Sequence, residues 1–197
     1  MRLEIAVWAL LMVLPFSAAT RRQPRQDGLK LETVLVKQQY CNSGDVHVLL
    51  FELKLKFTNT GNVTLILYKG SNLVSYVRVA RNQQELEQKR YEISQSTTWV
   101  SSGPEGLPDV GQAPDARFAV LKAGQSFTMP AEARIPSLNL LATGEHVLQV
   151  IVPTWKGTPA QAEGLKRRWE WVGELWIGNA FSTAMPFVFG PEKAKKC

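Results

Sequence analysis

The segment Leu49–Lys69 reads LLFELKLKFTNTGNVTLILYK. Leu49, Phe51, Leu53, Leu55 and Phe57 occupy alternate positions, with Glu52, Lys54 and Lys56 between them. A period of two puts the apolar side chains on one face of a β-strand and the charges on the other. Asn59-Thr60-Gly61-Asn62 follows, and Gly and Asn tolerate the positive φ that tight turns need. Val63–Tyr68 is a second apolar run. The pattern predicts an antiparallel hairpin with one face in a core.

The rest of the chain carries the same signals. Leu29–Tyr40 and Leu73–Ala80 are rich in β-branched and apolar residues and read as strands. Phe118–Leu121 and Ser126–Ile135 follow a long Gly- and Pro-rich loop, Gly103–Ala116. Pro130 inside the second of these marks an edge or a bulge. Gly144–Pro153 is apolar on both phases of its alternation, as in a strand buried on both faces. Trp155–Gly164 reads as a loop, and strands over Trp169–Ile177 and Phe181–Phe189 close the domain.

Helix is scarce. Asn82 can cap, and Glu85 stands three residues on, the spacing of a capping box. One or two turns of helix over Gln83–Arg90 are expected, a strand-connecting loop being the alternative. Tyr91–Val100 reads as an edge strand. About nine short strands separated by turns predict an all-β fold. The expected form is an antiparallel, immunoglobulin-like Greek-key β-sandwich with at most one short helix.

The first residues, MRLEIAVWALLMVLPFSAAT, combine Arg2, an apolar run over Ile5–Phe16 and the small residues Ser17-Ala18-Ala19. This is the pattern of a secretory signal peptide, with cleavage expected after Ala19. The apolar run is short of the ~20 residues that a spanning helix needs, so no stable membrane insertion is expected after cleavage. The expected organisation is a signal peptide over 1–19, a basic segment over 20–28, one β-sandwich over 29–190 and a basic tail over 191–197. Export implies a periplasmic or extracellular location.

The net charge of +6 is partly terminal: Arg21, Arg22 and Arg25 at one end, Lys193, Lys195 and Lys196 at the other. Such runs read as solvated tails or as weakly attracted to anionic surfaces. No recognition motif points to nucleic acid. The chain has two cysteines, Cys41 and Cys197. In an oxidising compartment they can form a disulfide that pins the C-terminus beside the first strand. Free or intermolecular thiols are the other reading.

Asn59 to Asn62 between apolar strands, Leu121-Lys-Ala-Gly-Gln-Ser126, and Gly144-Glu-His-Val-Leu148 together resemble the pattern of immunoglobulin-like bacterial domains. The chain as a whole resembles small exported bacterial proteins of unassigned function. In outline it is similar to the bacterial intracellular proteinase inhibitor family, although no inhibitory segment matches residue by residue. The resemblance covers Leu49–Pro153 and implies the fold more than an activity.

Catalytic signatures are missing: there is no G-x-S-x-G elbow, no H-E-x-x-H and no Gly-rich phosphate loop. His47 and His146 each read as a lone strand residue without metal-ligand spacing. The expected protein is non-catalytic, with no cofactor and no metal. Asn62-Val63-Thr64 matches a glycosylation sequon, which has meaning only in a eukaryotic secreted protein.

Aromatic residues are the notable enrichment. Trp155, Trp169, Trp171 and Trp176 cluster after Gly144–Pro153, with Lys166-Arg167-Arg168 leading into three of them. On a strand, Trp169 and Trp171 would share a face and could stack on sugar rings or anchor a protein interface. Core packing is the competing reading. The expected function is therefore an exported interaction or structural module whose partner is a protein or polysaccharide of the cell envelope. A carbohydrate-binding module built on the Trp pair is the alternative. A proteinase inhibitor using the Gly103–Ala116 loop is a further one.

Overall fold

A computed structural model describes residues 28–43, 46–69, 74–97, 110–136, 143–155, 157–190 and 195–196. In chain order the elements are β1 (Leu29–Ser43), β2 (Val46–Asn59), β3 (Leu65–Tyr68), β4 (Val74–Ala80), α1 (Gln83–Glu87), β5 (Glu92–Thr97) and β6 (Phe118–Leu121). Then come β7 (Ser126–Pro136), β8 (Gly144–Pro153), α2 (Pro159–Trp169), β9 (Glu174–Leu175), β10 (Asn179–Phe181), β11 (Met185–Phe189) and β12 (Lys195–Lys196). The fold is all-β in character and its sheets are mostly antiparallel.

The first sheet has the order β12-β1-β2-β7. Its centre is β2, paired antiparallel to β1 on one side and to β7 on the other. The alternation in β2 holds: Leu49, Phe51, Leu53, Leu55 and Phe57 are buried, and Glu52, Lys54 and Lys56 face solvent. Outside, Lys56 and Lys30 pair with Glu32, and Lys37 with Glu52. Such exposed pairs contribute little, typically ~0–1 kcal/mol each. β7 presents the small residues Ala131 and Ala133 inward, and Pro130 lies on this edge strand opposite Lys54.

Another sheet has the order β10-β8-β4-β5, with β11 also on β8. Leu148, Val150 and Val152 from β8 and Val77 and Val79 from β4 are buried in the same core as β2. Phe51 of β2 meets Phe187 of β11 edge-on, ring centroids 5.1 Å apart. The expected burial of β8 on both faces holds in part: Ile151 is buried, but Val147 and Gln149 on the same face are half-buried. β10 and β11 follow one another along the same edge of β8. At the break between them the Val150 N–H donates to the buried Ser182 hydroxyl at 2.9 Å, and Ser182 N–H donates to Val150 O. The side chain thus supplies the acceptor that the interrupted ladder lacks.

The hairpin expected at Asn59–Asn62 does not form. β3 leaves the first sheet and joins a small sheet of order β6-β3-β9. The cause is Asn59, which is fully buried. Its amide donates to Val63 O at 2.7 Å and to Leu121 O at 2.8 Å, and its Oδ1 accepts from Gly61 N–H at 2.9 Å. Its backbone N–H donates to Gln125 O and its carbonyl accepts from Gly124 N–H. These bonds turn the chain sideways, out of the plane of β2.

A second correction concerns helix. α1 forms where Asn82 was expected to cap, its side chain accepting from Glu85 N–H at 2.9 Å. The stretch read as a loop and a strand after Trp155, however, contains α2. Thr158 accepts from Gln161 N–H, Gln161 accepts from Thr158 N–H, and Pro159 opens the first turn. This is a complete capping box with Pro where no donor is needed. Ala162, Leu165 and Trp169 form its buried stripe. The described residues thus hold two helices, one more than expected.

At the C-terminus, Lys195 and Lys196 pair parallel to Cys41 and Asn42 of β1, so this part of the basic tail is a strand. Cys197 lies outside the described residues, and so does the expected bridge to Cys41. The expected signal peptide over 1–19 and residues 20–27 lie outside them too, as does residue 47's side chain. No helix among the described residues is long and apolar enough to cross a membrane.

Asn59→Ala leaves the Leu121 and Val63 carbonyls and the Gly61 N–H without this partner, at roughly 1–3 kcal/mol for each group left buried and unsatisfied. Urea unfolding should show a lower midpoint with an unchanged slope. Asn59→Asp adds a carboxylate facing carbonyl oxygens, which raises its folded pKa above the unfolded ~3.9. Its extra cost is therefore full at neutral pH and shrinks as pH falls. A defect that grows on acidification would contradict this.

Candidate functional site

The four clustered tryptophans separate into core and surface. Trp169 is the last residue of α2 and is fully buried. Its ring meets Phe118 edge-on at 4.7 Å, and its Nε1–H donates to Gly111 O at 3.2 Å. Arg168 donates to Val110 O beside it. Together these bonds tie the described end of the long Gly- and Pro-rich loop to α2. Trp176 is buried. Trp155 is half-buried, with its ring against Tyr68 and its Nε1–H directed to Thr158 O. Trp171 alone stands out, at 72 % exposed.

The expected Trp169–Trp171 platform therefore does not exist. It assumed strand geometry, and this segment is the end of a helix and a turn. Successive helical residues are ~100° apart, so residues two apart point in nearly opposite directions. Trp169 goes to the core and Trp171 to solvent.

Trp171 borders an open concavity of about 560 Å³ formed by Val63 and Thr64, the end of α2 and the start of β9. The residues that hold it are specific. After α2 the N–H groups of Val172 and Gly173 both donate to Trp169 O, at 2.8 and 3.1 Å. Glu174 N–H then donates to Thr64 O at 2.8 Å, starting the parallel β3–β9 pair. A Cβ on Gly173 would stand 2.5 Å from Thr64 O, so only glycine lets the two backbones approach this closely.

The rim is mostly acidic. Lys166 pairs with Glu163 at 2.8 Å across one helical turn, and this hydrogen bond holds the Glu163 carboxyl below its ordinary pKa. Glu170 and Glu174 are exposed and have no ion pair among the described residues. Val63 adds an exposed apolar side chain on the opposite wall. The surface thus combines an indole, a valine and two carboxylates.

A second feature lies on the outer face of the β8 sheet. The Arg78 guanidinium sits 4.5 Å from the ring centre of Tyr91 and 5.6 Å from that of Phe181. Arg78 also donates to Gln149, whose amide donates to Ser182 O at 3.0 Å. This cation–π ladder fastens β4 to β10 across β8. Arg78, Tyr91 and Phe181 are far apart in the chain, so no local motif announces them.

His146 is a buried strand residue bonded through Nδ1 to Gly144 O at 3.1 Å. Its ring packs between Phe187 and Phe189. Among the described residues no group of three His, Cys, Asp or Glu is placed to hold a metal.

Gly173→Ala should force β9 away from Thr64, with an overpacking cost of about 1–3 kcal/mol. Hydrogen exchange should report faster exchange at Glu174 and Trp176, whose N–H groups bond Thr64 and Ile66. Unchanged protection there would mean that the close approach is not a constraint.

No protein-family model matches this sequence, and no curated protein matches it.

Proposed function

We propose that the protein is exported, loses residues 1–19, and acts as a non-catalytic interaction module of the cell envelope or extracellular space. Its partner docks on the Trp171 concavity. The observation that carries this reading is the exposure of Trp171 beside a shaped hollow, while Trp169 and Trp176 are consumed by the core. Tryptophan is enriched at protein interfaces and among the residues that carry their binding energy. The sheets packed around Phe51, Leu148 and Phe187 support an immunoglobulin-like sandwich as the scaffold, with the concavity at the junction of β3, α2 and β9.

The test is crosslinking and co-purification from the native envelope with wild type and Trp171→Ala. A stoichiometric protein partner, reduced at least tenfold by Trp171→Ala in a variant with unchanged melting temperature, is expected. Truncation of an interface anchor typically costs ~2 kcal/mol or more. Equal recovery by the variant would place the interface elsewhere. Recovery with polysaccharide in place of protein would make Trp171 a single sugar-stacking residue.

A further inference from the structure

We propose that the Trp171 concavity is a docking site for the chain's own basic segment, residues 20–27, held through its arginines. The proposal names the occupant that a partner must displace, and in that respect it rests on the reading above.

The first argument is where the chain leaves the domain. Gly28 is the first described residue, and its carbonyl accepts from Thr60 N–H at 2.8 Å. Gly28 Cα lies 3.4 Å from where a Cβ on Gly61 would stand. Gly61 is two residues before Val63, which forms a wall of the concavity. Residues 20–27 can span roughly 26 Å at ~3.3 Å per residue. Arg25 stands three residues from Gly28, which is about 10 Å of extended chain.

The second argument is charge. The segment reads TRRQPRQD, with Arg21, Arg22 and Arg25 against a single acid, Asp27. The hollow carries Glu170 and Glu174, exposed and with no ion pair among the described residues, while Lys166 is already engaged by Glu163. With Lys166 included, the lining carries a net charge of −1 on a chain of net charge +6.

The third argument is the indole. A guanidinium binds carboxylates bidentately and stacks on aromatic faces, and Trp is the best ring for a cation. The hollow offers both to the same group. Pro24 lowers the ordering cost by narrowing the free segment's conformations. The tether supplies an effective concentration on the millimolar scale, so weak contacts suffice for occupancy.

The experiment uses the full protein carrying residues 20–27, labelled with 5-fluorotryptophan and observed by fluorine NMR. The Trp171 signal is assigned with Trp171→Phe. Wild type is compared with the combined Arg21→Ser, Arg22→Ser and Arg25→Ser variant, and with Glu170→Gln plus Glu174→Gln. Both variants should move the Trp171 signal to a common position and raise its solvent isotope shift to that of an open indole. Salt at about 0.5 M, where screening shortens to roughly 4 Å, should do the same to wild type. The Trp169 signal, from the core, should stay fixed and so reports an intact fold. An identical Trp171 signal in wild type and the arginine variant at low salt overturns the proposal. A signal that ignores the arginine substitutions but responds to an added basic peptide also overturns it. Loss of partner on Trp171→Ala together with no effect of the arginines would retain the interaction reading and remove this one.

Discussion

One buried amide decides how this chain is laid out. Asn59 ends β2, the centre of the first sheet, where the sequence offers every inducement to turn back on itself. It satisfies its side chain with Val63 O, Leu121 O and Gly61 N–H. A buried amide left unbonded costs free energy comparable to a lost hydrogen bond. The segment after it must therefore run where those partners are. That places β3 against β6 and not against β2. β3 and the residue before it in turn provide the carbonyls of Ile66 and Thr64, which accept from Trp176 and Glu174. The wall and floor of the Trp171 concavity thus follow from a residue outside it.

The same dependence separates what was legible in the sequence from what was not. Alternation in β2 could be read directly, because burial on one face leaves a period-two trace. The cap of α1 was legible for a similar reason: Asn82 and Glu85 are local partners. The destination of β3 was not, because Leu121 lies 62 residues from Asn59. A turn-like Asn-Thr-Gly-Asn describes local chemistry and says nothing of that partner. α2 was a different failure. Thr158-Pro159-Ala160-Gln161 is a capping box in plain view, followed by Ala162, Leu165 and Trp169 at helical spacing. Thr, Pro and Gly in the same stretch also suit a loop, and a strand period over Trp169–Ile177 puts Trp169 and Trp171 on one face, where the helix separates them.

Edges of the sheets are also managed by groups distant in sequence. β1 is long and lies near the end of its sheet, an invitation to pair with other chains. Part of its free side is occupied: Leu31 bridges to Ser182, and Lys195–Lys196 pair with Cys41 and Asn42. Tyr40 hydroxyl donates to Val188 O and accepts from Gly190 N–H, and Gln38 also donates to Val188 O. Val188 itself is exposed, so its backbone and not its side chain makes this join. Side-chain bonds of this kind join β1 to β11 where no continuous ladder exists.

The exposure of Trp171 is a consequence of rigidity around it. The residue two before it is fixed by its indole bond to Gly111 O and by packing on Phe118. The two residues after it are fixed by their bonds to Trp169 O, and Gly173 is held against Thr64 with no room for a methyl group. The backbone at 171 therefore has no freedom to rotate the indole into the core, where Trp169 already occupies the space under α2. Leaving that much apolar surface in water forgoes about 25 cal/mol for each Å² that could have been buried. A partner that covers it recovers that term without having to order the backbone that presents it, and ordering is a main cost of association.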